Sequence, residues 1–529
     1  MVIWKDKIGL LLILFIAFIL RVIGANFGYP LLTHTDEGAI IDPVLYMTAN
    51  RTLDPNMYNR PDHIMIFINF VILNIFSLLK FGGSLAAFFQ ENMYDFYFAS
   101  RMITAVMGTL TVYIAYLIGN QFKHQFGMIA AIIFAIFPSF VHHSHFITPD
   151  VPVTLFTLII IYFSIKYIKT REKKYLIIAT FFAAVNTAEK YPGLISTAII
   201  GTVITIVLLP KVKKDSWSGL FFLIKNYFIY AGIFLFSLFL VAPNIMVEFG
   251  KVIAAIKRES RSIHFGADGL GWIGNMSFYS KMYFNMSGLI MFLFLLAGIF
   301  LFVKQKEKLS IPLFYGFLYF LLISYLPLHW ERWALPMYIS PLLITAYAIN
   351  YAFDYLHSFK MYWKAALTGI VCIIFFTMVL DSSIESYRKT IPDTRAIALK
   401  YVESMAITAN NTLFEGYTPF NPRGVKYIFN EYPTDKKYII LSSDIYGRFY
   451  REAEKYHDYI QIYEKIKAEN DIIISYKANI DKRPMAERTN AVGYENEWER
   501  MTESIHFFTV LPENDQPLIG PQIDIFSVN

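Results

Sequence analysis

One cysteine, Cys372, stands in a chain of 529 residues. That excludes an intramolecular disulfide and any cysteine-based zinc site. Charge is scarce as well: Asp, Glu, Lys and Arg make up 17% of the sequence against 56% hydrophobic residues. A soluble domain cannot cover that much apolar surface, and the chain reads as a polytopic helical membrane protein. The net charge is only +6, and its lysines and arginines fall in short clusters between apolar runs. They therefore read as topology signals, and no nucleic-acid partner is implied. The sequence also lacks an Asp-x-Asp nucleotide-sugar motif, a glycine-rich phosphate loop, a serine nucleophile elbow, internal repeats and low-complexity tracts.

What is present is a series of long apolar segments: Ile8–Ile23, His63–Leu79, Phe96–Ile118, Met128–Val141, Val151–Ile168, Tyr175–Val185, Leu194–Leu209, Phe221–Val241, Met282–Val303, Ile311–Leu326, Ala334–Phe353 and Ala365–Leu380. By hydropathy alone about twelve would span. Lysines at Lys5 and Lys7 precede the first segment, and the sequence after it makes a poor cleavage site, so an uncleaved first span is expected. If His63–Leu79 crosses, the clusters Lys166–Lys174, Lys211–Lys214 and Lys304–Lys308 all land outside. If it instead lies in the outer interface, those clusters, with Lys123 and Lys360–Lys364, become cytoplasmic. This predicts about eleven spans plus one outer juxtamembrane helix. The expected division is a transmembrane domain over residues 1–381, with a first outer loop over 25–95, and an extracytoplasmic α/β domain over 382–529. In the latter, helices are expected near Asp393–Ser404 and Tyr446–Tyr456, and strands at Lys437–Ser442, Asp471–Tyr476, His506–Leu511 and Ile523–Ser527.

That topology gathers chemistry-bearing residues on the outer side. His34, Asp36 and Glu37 follow the first span directly. Adjacent carboxylates facing low dielectric push one pKa upward, which suits a general base; the alternative is a solvated helix end. Asp150, in Thr148-Pro149-Asp150, is either a site acid or a helix N-terminal residue favoured by the dipole. Arg60, Lys190 and Arg332 are candidates for holding a phosphate. Lys190 could instead pair locally with Glu189, and Arg332 could snorkel between Trp330 and Trp333. Arg21 and Arg101 read as helix-packing or snorkelling residues. His142, His143 and His145 could ligate a metal with His34 and Asp36, or close an interfacial helix.

The order of these motifs resembles the GT-C integral membrane glycosyltransferases, in the branch of the protein O-mannosyltransferases and the lipid A aminoarabinose transferases. The resemblance is carried by His34-Thr35-Asp36-Glu37, by Tyr58-Asn59-Arg60-Pro61-Asp62 with the following apolar helix, and by Arg101-Met102-Ile103 with Met107 to Thr111. It continues through Thr148-Pro149-Asp150, Ala188-Glu189-Lys190-Tyr191, Arg332-Trp333-Ala334-Leu335-Pro336 with Pro341, and Asp393-Thr394-Arg395-Ala396. Arg60 stands where that family usually has Lys, and Asp62 where a second Pro is common. The resemblance implies a GT-C fold and inverting transfer of a sugar from a polyprenyl-phosphate donor. The acceptor would be a protein, glycolipid or polysaccharide on the extracytoplasmic face of the cell membrane. It implies Asp36 as base, Glu37 and Asp150 as orienting or sugar-binding groups, His34 as a substrate contact, and Arg60, Lys190 and Arg332 on the departing phosphate. Membrane lipids are the surrounding partners, and no metal or other cofactor is required. The competing readings are a lipid-linked sugar transporter or flippase and a metal-dependent oligosaccharyltransferase. A transporter would usually show repeats and midplane polar groups.

Overall fold

The structure is a computed structural model that describes residues 2–261, 263–265, 270–305, 308–356, 360–480 and 517–528. Every apolar segment named above is helical. Seven helices among the described residues are long and apolar enough to cross a membrane, and the shorter apolar helices His124–Ile136 and Ile311–Ser324 accompany them. Their inward faces merge into one core that runs from Ala17 and Leu20 in the first helix to Met378 in the last. Close approach is set by small residues. A Cβ on Gly119 would lie 2.7 Å from the backbone of Gly127, so the helices Met93–Asn120 and His124–Ile136 touch backbone to backbone.

Three breaks shape the bundle. Phe137 is extended because Pro138 disfavours the helical region for the residue before it, so His124–Ile136 stops and a new short helix, Pro138–His143, starts in another direction. Gly288, at φ 72°, kinks Gly271–Gln305 where only glycine is unstrained. Residues Thr197–Val241 are helical throughout but double back between Val212 and Gly219, since the Tyr227 hydroxyl reaches the Gly201 carbonyl at 3.2 Å.

The helix His63–Phe81 starts beside Asp36, through Arg60, and ends beside the first turn of Met93–Asn120. There Lys80 pairs with Asp95 at 2.8 Å, and Phe81 and Phe96 pack 5.6 Å apart. Both ends therefore lie on the face that carries the cavity described below.

Beyond Arg388 the chain builds a four-stranded sheet from Thr412–Phe414 (β1), Tyr438–Ser442 (β2), Asp471–Tyr476 (β3) and Ile523–Ser527 (β4), in the order β1-β2-β4-β3. β1 and β2 are parallel, and β4 runs antiparallel to both its neighbours. Alternation sorts the side chains: Ile440, Ile523 and Ile525 meet the helix Thr394–Ser404, while Ile439, Leu441 and Phe526 meet Phe449, Tyr463 and Ile466 on the other face. The helix expected at Tyr446–Tyr456 is instead Ser443–Tyr450, followed by a second helix, His457–Glu469. β1 was not anticipated, because three residues carry too little alternation to read. The expected strand His506–Leu511 lies outside the described residues.

Candidate active site

Asp36 and Glu37 leave the loop in opposite directions. Glu37 is fully buried and bidentate to Arg101, at 2.8 Å from Nε and 2.7 Å from Nη2. Arg101 also donates to the carbonyls of Ala25 and Phe27, at 2.9 and 3.0 Å, so the pair ties the end of the first helix to Met93–Asn120. Glu37 does not line the cavity. Asp36 does, half-buried, and its two oxygens are taken by Arg60, at 2.9 Å, and by Arg332. Arg60 is held in turn by Asp62, at 2.7 Å.

Lys190 does not pair with Glu189. Its ammonium reaches the carboxylate of Asp150 at 2.6 Å, and Asp150 opens the helix Asp150–Thr170. Glu189 turns the other way and accepts from the backbone N–H of Met65, which caps the start of His63–Phe81 where the helix dipole favours an anion. Arg21 is buried between helices and donates to the carbonyls of Ala17, Phe134 and Ala135. Its role is packing.

The histidines are mostly engaged. His142 meets Glu385 at 2.9 Å, His143 meets Glu331, and His145 meets the carbonyls of Ile23 and Val141 at 2.8 and 2.9 Å. His34 differs: it stacks on Phe146 with centroids 4.2 Å apart, and its buried Nδ1 has no hydrogen-bond partner among the described residues. Burial and the nearby Arg332 and Lys389 hold His34 well below the usual imidazole range, so it is neutral at pH 7. With Asp36 clasped by two arginines and Asp150 by Lys190, these residues do not form a metal-ligand set. No group of three or more candidate ligands occurs among the described residues.

The six side chains His34, Asp36, Arg60, Asp150, Lys190 and Arg332, drawn from five stretches of sequence, line one cavity of about 980 Å³. The segment after the last long helix supplies its roof. Tyr417 meets Thr35 at 3.2 Å, Arg448 donates to Tyr417 at 3.2 Å, and Arg395 donates to the carbonyl of Thr33 at 3.3 Å. Phe265 anchors the other wall by inserting among Tyr427, Phe449 and Tyr456, with centroids 5.0–5.3 Å away. Lys389 also lines the cavity, and sequence reasoning missed it. The available signal was its position as a cation directly after the last apolar helix, which also fits an ordinary snorkelling residue.

Residues 85–247 match the family model described as Dolichyl-phosphate-mannose-protein mannosyltransferase. No curated protein matches the chain. Among solved structures it is similar to the oligosaccharyltransferase of Archaeoglobus fulgidus in complex with Zn and sulfate, with a TM-score of 0.51 at 14% identity, covering 82% of this chain and 68% of that one. It is also similar to apo ArnT from Cupriavidus metallidurans, with a TM-score of 0.51 at 12% identity over 84% of this chain and 94% of that one. The fold is that of the GT-C membrane proteins. The likeness to both is one of fold, that of a multi-pass membrane protein, and the family match covers residues 85–247.

Proposed function

We propose that the protein transfers a sugar from a polyprenyl-phosphate-linked donor to an acceptor on the extracytoplasmic face, with Asp36 as base and inversion at the anomeric carbon. The observation that carries this reading is the placement of Asp36 between two arginines in a cavity that also holds Lys190. A phosphate dianion matches that cationic set. Asp36 would take the proton of the acceptor hydroxyl. The oxygen would then form its bond to the anomeric carbon as the bond to the phosphate oxygen breaks. The phosphate leaves as a stable anion, so no second carboxyl acting as acid is needed, unlike in glycoside hydrolysis. Arg60, Lys190 and Arg332 would hold the departing charge. Glu37, locked on Arg101, would position the loop rather than touch substrate, and Asp150 would orient Lys190 or meet sugar hydroxyls.

The orientation follows from charge. The cluster residues Lys123 and Lys169 meet Asp354, at 2.6 Å, and the Gln121 carbonyl at helix ends remote from Arg101 and the cavity. The basic side is cytoplasmic by the positive-inside rule. The cavity side is then outside, residues 1–381 form the membrane domain, 382–529 form an outer domain, and His63–Phe81 lies in the outer interface within the loop 25–95. The acceptor belongs to the classes of protein, glycolipid or polysaccharide.

The test is transfer from a labelled polyprenyl-phosphate sugar by purified protein. Asp36→Asn abolishes transfer while the protein stays folded. Undiminished transfer removes Asp36 from the reaction.

A further inference from the structure

The cations at the Asp36 end of the cavity each have a carboxylate partner. Among the described residues, Lys389 has none within ion-pairing distance. The carboxylates that face it are engaged elsewhere: Glu385 by His142, at 2.9 Å, and by Arg388, at 3.4 Å, and Glu37 by Arg101. Its other charged neighbours, Arg388 and Arg101, repel it, and the imidazoles of His34, His142, His143 and His145 surround it. Its ammonium instead lies over Phe146, 4.3 Å from the ring centroid, and 5.5 Å from that of Phe27. The same Phe146 ring carries His34, whose buried Nδ1 lacks a partner. Both residues line the cavity. A desolvated ammonium with no carboxylate partner among the described residues is unfavourable, and desolvation pushes its pKa down to about 7. A ligand that brings an anion relieves that penalty.

We propose that the Lys389 ammonium and the His34 imidazole, both packed against Phe146, form a second anion site that takes a carboxylate or phosphate borne by the transferred sugar or by the acceptor. It rests on the reading that the arginines flanking Asp36 take the donor phosphate, and it narrows the substrates to those carrying a second negative charge. The first site is built on Asp36's arginines; the second adds Lys389, at the end of the last long helix, and His34, which Arg332 also influences.

The test uses the full chain in nanodiscs at constant ionic strength. Binding of D-glucuronate and of inorganic phosphate is measured calorimetrically with polyprenyl phosphate present at saturation. Wild type binds at least one of the small anions, and Lys389→Met weakens it about tenfold or more. Polyprenyl phosphate itself binds the variant within about threefold of wild type. Loss of glucuronate binding assigns a carboxylate to the site, whereas loss of phosphate binding assigns a phosphate. Because Lys389→Met removes an uncompensated charge, it also raises the melting temperature of the ligand-free protein, which a merely structural lysine would not do. If that variant does not fold, Lys389→Arg must retain the anion and His34→Ala must weaken it. Equal binding by wild type and variant, no binding of either anion, or an equal loss of polyprenyl phosphate overturns the proposal. If Arg60→Met and Arg332→Met leave polyprenyl phosphate binding intact, the donor-site reading fails on its own, and the Lys389 comparison still stands.

Discussion

Adjacent residues can share a charge and differ in role because burial and partners differ. Glu37 is sealed against Arg101, so removing either member strands the other's charge. Glu37→Gln or Arg101→Leu is expected to destabilise the protein by about 3–5 kcal/mol, read as a lower melting temperature and poor recovery from the membrane. Asp36 is half-buried between two arginines that would also hold the donor phosphate. Asp36→Asn should therefore tighten polyprenyl phosphate binding, by about threefold or more, while it abolishes transfer; weaker binding in a direct titration would remove the competition between carboxylate and phosphate. Lys389 gives a pH signature. Its folded pKa, about 7, lies below that of a free lysine, so between these values the unfolded chain binds more protons and stability rises with pH. Lys389→Met should flatten that part of the wild-type profile of melting temperature against pH. The acidic pair and the three cations were legible in the sequence as residue types on one face. Their pairing was not, because Lys190 chooses Asp150 over its neighbour Glu189 only once two helix ends meet.

At the scale of elements, apolar length located the helices, while lysine placement alone assigns His63–Phe81 to the outer interface. His63–Phe81 is as apolar as the other six candidate spans, and length and composition alone include it with them. What distinguishes it is the ion pair of Lys80 with Asp95 and the start of the next helix beside it. A cysteine introduced as Lys80→Cys should react with a membrane-impermeant maleimide applied from outside to intact cells; labelling only after permeabilisation would place that end in the cytoplasm. Gly127 is the second case. Its sequence context is an ordinary apolar helix, yet any side chain there strikes the preceding helix at Tyr116 and Asn120. Gly127→Leu is expected to cost about 1–3 kcal/mol or more through overpacking, measured by thermal unfolding in detergent. The break at Phe137 was readable from Pro138, but its consequence, turning His142 and His143 into the cavity, needed the neighbours Glu385 and Glu331 in place.

Across the whole molecule, the helical bundle supplies the charged floor of the cavity and the C-terminal sheet domain supplies its roof. Contacts between them combine the aromatic insertion of Phe265 with polar links: Arg395 to Thr33, Tyr417 to Thr35, and Arg423 to Tyr97 at 2.5 Å. Arg423→Ala should loosen this seat and raise KM for the acceptor more than it lowers kcat, in assays at saturating donor; an equal fall in kcat with KM unchanged would assign Arg423 to the chemistry instead. By itself the sequence determined that the chain is a polytopic helical membrane protein with a mixed α/β segment at its end, because hydrophobic length, lysine clustering and alternation are local properties that survive in one dimension. It also determined which carboxylates and cations were candidates. Only the tertiary structure decided that Asp36 faces the cavity while Glu37 faces Arg101, that His142, His143 and His145 are engaged by glutamates and carbonyls, and that Lys389 and His34 share the Phe146 ring, Lys389 without a carboxylate partner among the described residues. Those outcomes depend on contacts between residues tens to hundreds of positions apart, and no local pattern encodes which partner a buried charge will find.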